Sequence, residues 1–407
     1  MTPALIQTMV SVALVGLSGI GMAQAVAGWR AVVRFGRDRH PDAVDLPPMT
    51  VLKPLYGDEP LLEQALATVC DQDYPAWQLV FGVANPSDPA LAVVERLRTR
   101  FPAVDMAVVV DPTFHGPNRK VGNLMNMLSA ARHDVLVIAD SDVHARPDYL
   151  RRLAAALAPP EVGLVTTLYG GLPAFHTLPG RLGATQITHG FLPGALLSRT
   201  MGRQDCLGAT MCLRRDTLAA IGGLGALVNH LADDNVLGML VHRLGKRVAL
   251  ADTVVATTVT ESTFAALFRH ELRWARTIRA LVPGSFAASI LQYPLFWAFL
   301  LVLAGDAPAG LLLFVLAWIV RAAAARGIDR ALAPKLKELA FRCPVWLLPL
   351  REALSVAVML ASYAGKQVDW RGHSLHADSP GQSIAATSPS ADRTASFRTA
   401  AEGLNPR

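Results

Sequence analysis

No side chain between Met1 and Trp29 carries a charge at neutral pH. Within that stretch, residues 5–27 form a run that, as a helix rising about 1.5 Å per residue, reaches across the roughly 30 Å of a bilayer's hydrocarbon. Arg30, Arg34, Arg37 and Arg39 follow at once, and no Lys or Arg precedes the run. The small-residue triplet Ala25-Val-Ala27 resembles a cleavage site, but a cleaved leader carries its positive charge before the apolar run, not after it. Residues 1–29 therefore read as an N-terminal transmembrane helix, and the arginines beyond it place residue 30 onward in the cytoplasm.

A second uncharged run covers residues 280–305, Asp306-Ala-Pro308 breaks it, and a third continues to Val320. This pattern predicts a helical hairpin with a short outside turn. Arg321, Arg326, Arg330, Lys335, Lys337 and Arg342 come next, so that stretch is cytoplasmic and every run agrees on one orientation. Residues 343–365 are again long enough to span, but Arg351-Glu352 lies near their middle, which is costly in lipid. They read as a fourth span with a polar site, or as a re-entrant or interfacial segment, the span being preferred. Residues 284–365 thus form a C-terminal membrane region, and the Ser-, Ala- and Thr-rich residues 374–407 read as a disordered tail.

Composition agrees. Hydrophobic residues make up 52% and charged residues 17% of the 407, against about 25% charged in an average soluble domain. That excludes a fibrous chain, a wholly disordered one and a plain cytosolic enzyme. The net charge of +6 does not indicate nucleic acid, because the basic residues track the membrane boundaries. Cys70, Cys206, Cys212 and Cys343 form no C-x-x-C pair and no metal-ligand spacing, so they read as buried hydrophobes.

Residues 46–262 have the composition of a soluble α/β domain. Residues 49–55 predict a short buried strand, followed by a helix that Pro60 opens. Strands are predicted at 77–84, 104–110 and 134–140, with helices at 90–100 and 121–131. Strands alternating with helices mean a mainly parallel sheet with covered faces, and such sheets bind ligands at the carboxyl ends of their strands.

The chemistry-bearing residues fall at those ends. Asp88 lies just past the second strand. Asp140-Ser-Asp142 closes the apolar strand 135–139; two carboxylates two residues apart in an extended chain point to one side. That suits a hard divalent cation, Mg²⁺ or Mn²⁺, shared with a diphosphate. Alone, such a pair is more often a solvated turn. Leu231-Ala-Asp-Asp-Asn235 leads into a helix, and an N-cap accounts for one of Asp233 and Asp234 but not for both. Asn118-Arg-Lys120 and Asn123 stand at the head of another helix, where Lys120 either meets a phosphate or is a solvated helix start.

Residues 263–283 predict an amphipathic interfacial helix. Phe264, Leu267, Phe268, Trp274, Ile278 and Leu281 recur at helical spacing, while Arg269, Arg273, Arg276 and Arg279 share a face. The arginines either anchor anionic lipid, or bind a phosphate, or do both.

Taken together these residues resemble membrane-bound GT-A glycosyltransferases of the ceramide glucosyltransferase type, glycosyltransferase family 21. The resemblance runs through Val51-Leu-Lys-Pro-Leu55, Gln72-Asp-Tyr-Pro75, Ser87-Asp-Pro-Ala90, Asn118-Arg-Lys-Val-Gly-Asn-Leu124 and Asp140-Ser-Asp142. It continues through Leu207-Gly-Ala-Thr-Met-Cys-Leu213, Leu231-Ala-Asp-Asp234 and Arg273-Trp274. It implies an α/β fold: a GT-A domain, Rossmann-like with a mainly parallel sheet, between an N-terminal transmembrane helix and C-terminal membrane helices. It also implies roles. Asp88 would contact the nucleotide, Asp142 would bind the metal with help from Asp140, and Asp234 would be the general base with Asp233 as its acidic neighbour. Arg273 and Trp274 would complete a (Q/R)-x-x-R-W motif, in which this chain has His270 at the Gln/Arg position.

Bacterial hopanoid-biosynthesis glycosyltransferases are the most similar in size and layout. That likeness implies UDP-N-acetylglucosamine as donor, bacteriohopanetetrol as acceptor, and a multi-pass protein of the cytoplasmic membrane facing the cytoplasm. Alternatives are a ceramide glucosyltransferase using UDP-glucose, a processive polysaccharide synthase, or a non-catalytic membrane scaffold. A synthase would usually carry more spans and an intact Gln-x-x-Arg-Trp.

Overall fold

A computed structural model describes residues 2–38, 43, 45–365, 367–370 and 373–376. Helix α1 (Pro3–Arg37) leads into the α/β region, where strand β1 (Met49–Pro54), helix α2 (Leu62–Cys70), β2 (Trp77–Val83), α3 (Ala90–Arg100), β3 (Asp105–Val110), α4 (Arg119–Met127) and β4 (Val135–Ala139) alternate. The second half of the sheet region holds β5 (Val143–His144), α5 (Tyr149–Leu157), β6 (Val162–Pro173), α6 (Leu178–Gln186), α7 (Leu192–Thr200) and β7 (Thr210–Arg214). It ends with α8 (Arg215–Ala220), α9 (Asp233–Arg243) and β8 (Arg247–Val259). The eight strands form one sheet in the order β3-β2-β1-β4-β7-β6-β8-β5. Strands β1 to β4 are mutually parallel, as expected. β7 then runs antiparallel between β4 and β6, and β6 and β8 are parallel over their length.

Both faces of the sheet are covered, which is why its strands read as continuous apolar runs. Adjacent residues of β1 point to opposite cores. Val51 packs with Leu66, Phe81, Val94 and Tyr149 under α2, α3 and α5. Leu52 packs with Leu124, Met127, Ile138 and Leu237 under α4 and α9. A third cluster seats Val32 and Phe35 of α1 against Leu168 of β6 and Val254 of β8. The sheet is thus fused to the apolar helices and not tethered to them by a linker.

Gly171 marks how closely layers approach: a Cβ there would lie 2.5 Å from the Ala184 Cα of α6, where backbone must shift to admit it. Gly171→Ala is expected to cost about 1–3 kcal/mol by overpacking, read as a lower thermal midpoint of the detergent-solubilised protein.

The C-terminal half holds α10 (Phe264–Leu281), α11 (Pro283–Ala288), α12 (Pro294–Leu303), α13 (Ala307–Leu336) and α14 (Leu348–Ser362), then a two-stranded hairpin of β9 (Gln367–Trp370) and β10 (His373–His376). Among the described residues three helical segments are long and apolar enough to cross a membrane: Pro3–Arg37, Ala307–Leu339 and Val345–Ser362. The run at 280–305 is not one straight span. It bends by 68° between Pro283–Gln292 and Pro294–Leu303, where Pro294 removes a backbone donor. Ser18 of α1 donates to the Pro294 carbonyl at 3.0 Å, and Glu352 accepts from the Leu295 N–H at 2.9 Å, so polar groups of two other helices satisfy the break. Residues 374–376, expected in a disordered tail, belong to β10; the rest of that tail lies outside the described residues.

Candidate active site

Four carboxylates and a lysine meet at the carboxyl end of β4 and the start of α9. Lys120, in the first turn of α4, places Nζ 2.6 Å from Asp140 Oδ1 and 3.7 Å from Asp233 Oδ2. Asn118 caps α4 by accepting from the Val121 N–H at 3.1 Å, and its amide donates to the His230 carbonyl at 2.8 Å and to Asp233 at 3.3 Å. α4 and α9 are thereby locked with their N-termini together. Although burial works against it, the charges of Asp140, Asp233 and Asp234 hold Lys120 well above the ordinary lysine range. It is a fixed cation.

Asp140 and Asp142 are not on an extended chain. Val143 N–H donates back to the Asp140 carbonyl at 3.3 Å, closing a turn between β4 and β5. The strand alternation expected to align the two carboxylates does not operate; the turn brings them together. Beneath it lies Lys53 of β1, fully buried, whose Nζ donates to the same carbonyl at 2.7 Å. Burial draws Lys53 down to about 8, against the pull of Asp142 and Asp140. Asp142 accepts from Thr257 of β8. Burial and the charge of Asp140 push its carboxyl up to about 6. Asp234, in the first turn of α9, is likewise pushed up to about 6 by burial and by Asp233. Neither Asp233 nor Asp234 is the N-cap, which is Ala232. Above Asp234 stands Gly208, where a Cβ would sit 3.0 Å from Asp234 Oδ2, so any larger residue would crowd the carboxylate.

The remaining candidates divide. Asp88 accepts from the Gly57 N–H at 3.0 and 3.2 Å and from the Ala90 N–H at 2.9 Å, joining the loops after β1 and β2 at the sheet's carboxyl edge. Asn123 was expected to face a substrate. It turns inward: its Nδ2 donates to the Gly82 carbonyl at 2.8 Å, while its Oδ1 is buried without a partner. That bond to β2 makes it a prop between α4 and the sheet. His270 Nδ1 pairs with Glu261, and its ring meets Trp274 edge-on at 4.7 Å. Burial opposes it, yet His270 and Arg273 hold the Glu261 carboxyl below the usual range. Trp274 and Tyr169 both pack against the cluster of Ile187 and Val259. Tyr169 stacks on Phe191 at 4.9 Å. Its hydroxyl is pushed well up by burial and by the charges of Asp234, Asp140 and Asp142. Arg279 departs from the expected lipid-facing stripe: it donates to the Gly365 carbonyl at 2.7 Å and lies 5.0 Å over the Tyr363 ring.

Lys53, Glu59, Tyr169, Gly208 and Thr257 were not among the sequence candidates. A lysine inside the apolar run of β1 was a visible signal for Lys53. Tyr169 gave none, because it is a lone aromatic within the apolar and small residues of β6.

Glu59 accepts from Ser141 Oγ in the turn, and the carboxylates of Glu59, Asp140, Asp142, Asp233 and Asp234 outnumber the ammonium groups of Lys53 and Lys120; Asp140 and Asp142 offer hard oxygen donors. This set fits a divalent cation. Among the described residues no three His, Cys, Asp or Glu side chains form a complete ligand set, so Asp140 and Asp142 would share the ion with oxygens of a bound diphosphate.

A sheet with this order and an acidic turn at its carboxyl edge defines a GT-A glycosyltransferase fold. A mannosyltransferase from Pyrobaculum calidifontis, solved with GDP-Man and Mn²⁺, superposes with a TM-score of 0.50 at 18% identity, covering 87% of this chain and 99% of that one. The description of glycosyl transferase family 21 matches residues 8–383, and the chain belongs to that family. Ceramide glucosyltransferase of Komagataella phaffii is 35% identical over 113 residues, 27% of this chain and 22% of that protein. Ceramide glucosyltransferase 1 of Caenorhabditis elegans is 24% identical over 279 residues, 68% and 59% of the two chains. An N-acetylglucosaminyltransferase of Rhizobium meliloti is 27% identical over 254 residues, 57% and 56% of the two. The aligned regions thus span between 22% and 59% of the lengths of these three relatives.

Proposed function

We propose that this chain transfers a sugar from a UDP-sugar to the hydroxyl of a membrane lipid in one inverting displacement. The observation that carries the reading is Asp234: a half-buried carboxyl pushed up to about 6, approached closely by Gly208, with Lys120 and the acidic turn beside it. A carboxylate so tuned accepts a proton near neutral pH. Asp234 takes the acceptor's hydroxyl proton as its oxygen attacks the anomeric carbon. Asp88 meets the nucleotide at the ends of β1 and β2. Lys120 and Arg273 stabilise negative charge on the departing UDP. Asp140 and Asp142 would hold Mg²⁺ or Mn²⁺, which when bound would supply further neutralisation of the diphosphate. Trp274, packed against Ile187 and Val259, shapes the site on the α10 side, and Glu261 orients His270 beside it.

The acceptor belongs to the bilayer, because the site lies between α1, the basic α10 and the apolar helices beyond it. Arg30, Arg34 and Arg37 at the carboxyl end of α1 favour a catalytic region on the cytoplasmic side of the cell's inner membrane. For the lipid we favour bacteriohopanetetrol with UDP-N-acetylglucosamine, on the likeness of Asn118-Arg-Lys-Val-Gly-Asn123 and His270-Glu-Leu-Arg-Trp274 to hopanoid-biosynthesis enzymes. The Rhizobium meliloti relative's name agrees with that sugar. Ceramide with UDP-glucose is the second reading, favoured by the names of the yeast and nematode relatives. Membranes holding the protein, incubated with either donor and either lipid, decide by the mass of the glycolipid formed. Transfer to ceramide alone would overturn the hopanoid acceptor. A long polysaccharide made without lipid would overturn both.

Because the base acts ionised, kcat/KM measured at saturating metal is expected to rise with pH through about 6 and level off above it. Bound metal holds Asp142 ionised, so the remaining acid limb belongs to Asp234. A rate independent of pH from 5 to 8, roughly the span over which such a carboxyl titrates, would remove Asp234 as base.

A further inference from the structure

Arg351 and Glu352 sit side by side in an apolar helix, and they face different neighbours. Glu352 binds Arg321 of α13 at 2.8 Å and the N-terminus of α12. Arg351 turns toward the α/β region. Its Nη1 and Nη2 donate to the two carboxylate oxygens of Glu271 in α10 at 2.7 and 2.6 Å. Nη1 also donates to the Leu182 carbonyl of α6 at 3.2 Å, and Nε to Ser355 Oγ at 3.2 Å. The side chains are 2% and 11% exposed.

Taking the proposed transfer reaction as given, we infer that Arg351 and Glu271 are positioning residues that set the rotation of α10, and with it the placement of Arg273 and Trp274 at the donor site. Apolar contacts already hold α10 to α14: Phe268, Leu272 and Ala275 pack with Leu354, Val358 and Met359. Such contacts are non-directional and leave a helix free to roll. A buried ion pair adds little net stability over well-packed apolar residues of like volume, so attachment alone does not call for one. What it adds is direction. The guanidinium is a planar fork that fits a carboxylate in one orientation. Glu271 and Trp274 are three residues apart on the helix, hence neighbours on its surface, so fixing one carboxylate fixes the indole that packs against Ile187 and Val259. The Leu182 carbonyl brings in α6, which follows β6, the strand that carries Tyr169. One side chain in a membrane helix thus ties together the elements that bear Trp274 and Tyr169.

The test replaces the pair by apolar residues of similar size, Glu271→Leu with Arg351→Met, in the full chain in nanodiscs. Fluorine resonances are read from 5-fluorotryptophan, with Trp274 assigned by Trp274→Phe. The double variant is expected to keep its thermal midpoint and its KM for UDP-sugar. It is expected to lose about tenfold or more in kcat, the scale of a small misplacement at a reacting centre, and to show a shifted or broadened Trp274 resonance. Unchanged kcat and resonance in the folded double variant would overturn the inference, as would a loss of kcat matched by loss of folded protein. Should the double variant not fold, Arg351→Lys, which keeps charge and loses the fork, is read by the same criteria. The fluorine signal reports on the pair even if the wild-type chain transferred no sugar, a result that would count against the transfer reaction alone.

Discussion

Asp234→Asn is expected to lower turnover by at least about a hundredfold, the lower range for loss of a general base, while the Kd for UDP-sugar changes little. The amide keeps the size of the carboxylate, so the Asn235 N–H that donates to it at 2.8 Å keeps an acceptor, and Gly208 keeps its clearance. Only the capacity to take a proton is lost. Asp233 provides the internal control. It is 8% exposed and faces Asn118 and Lys120, not open space, so Asp233→Asn is expected to be milder and to act by loosening Lys120. Single-turnover rates and donor titrations on both variants separate the roles. Equal and complete losses, or a loss confined to donor affinity, would reassign the base.

Asp142→Ala is expected to abolish detectable transfer in a protein that still folds, and chelation should do the same reversibly. The structural reason is the charge balance around the turn. Asp142 is a half-buried carboxylate whose ionised form is disfavoured by desolvation and by Asp140, and a cation reverses both penalties. Removing it leaves Asp140 already engaged by Lys120 at 2.6 Å, an inadequate site alone. The variant also relieves a like-charge repulsion, so its thermal midpoint without metal is not expected to fall, whereas the wild type should gain stability on adding Mn²⁺ and the variant should not. Full activity in excess chelator would take the metal out of the mechanism.

Much of this site was legible because its parts lie at ends of strongly patterned strands. The run 135–139 and the Asp pair that closes it needed only an unbroken apolar stretch ending in two carboxylates. The spacing argument for Asp140 and Asp142 gave a correct proximity by a wrong geometry, since the chain turns there. The second half of the sheet was harder. β6 carries Thr166, Thr167, Gly170 and Gly171 among its apolar residues, and β7 pairs antiparallel with strands distant in sequence, so neither follows the helix-strand rhythm of the first half. Asn123 has a polar side chain at a helix head, yet it serves the backbone of β2, a partner 41 residues away that no local pattern specifies. Arg351 and Glu352 showed as an anomaly in an apolar run. Their partners, Glu271 and Arg321, are fixed only by how the helices pack.

The central claim is a single displacement assisted by Asp234, with no second carboxylate acting as a nucleophile. The most direct measurement is the anomeric configuration of the glycolipid made from an α-linked UDP-sugar, read from the coupling of its anomeric proton. The account requires a β-glycoside. An α-glycoside would mean retention through two displacements and would contradict it.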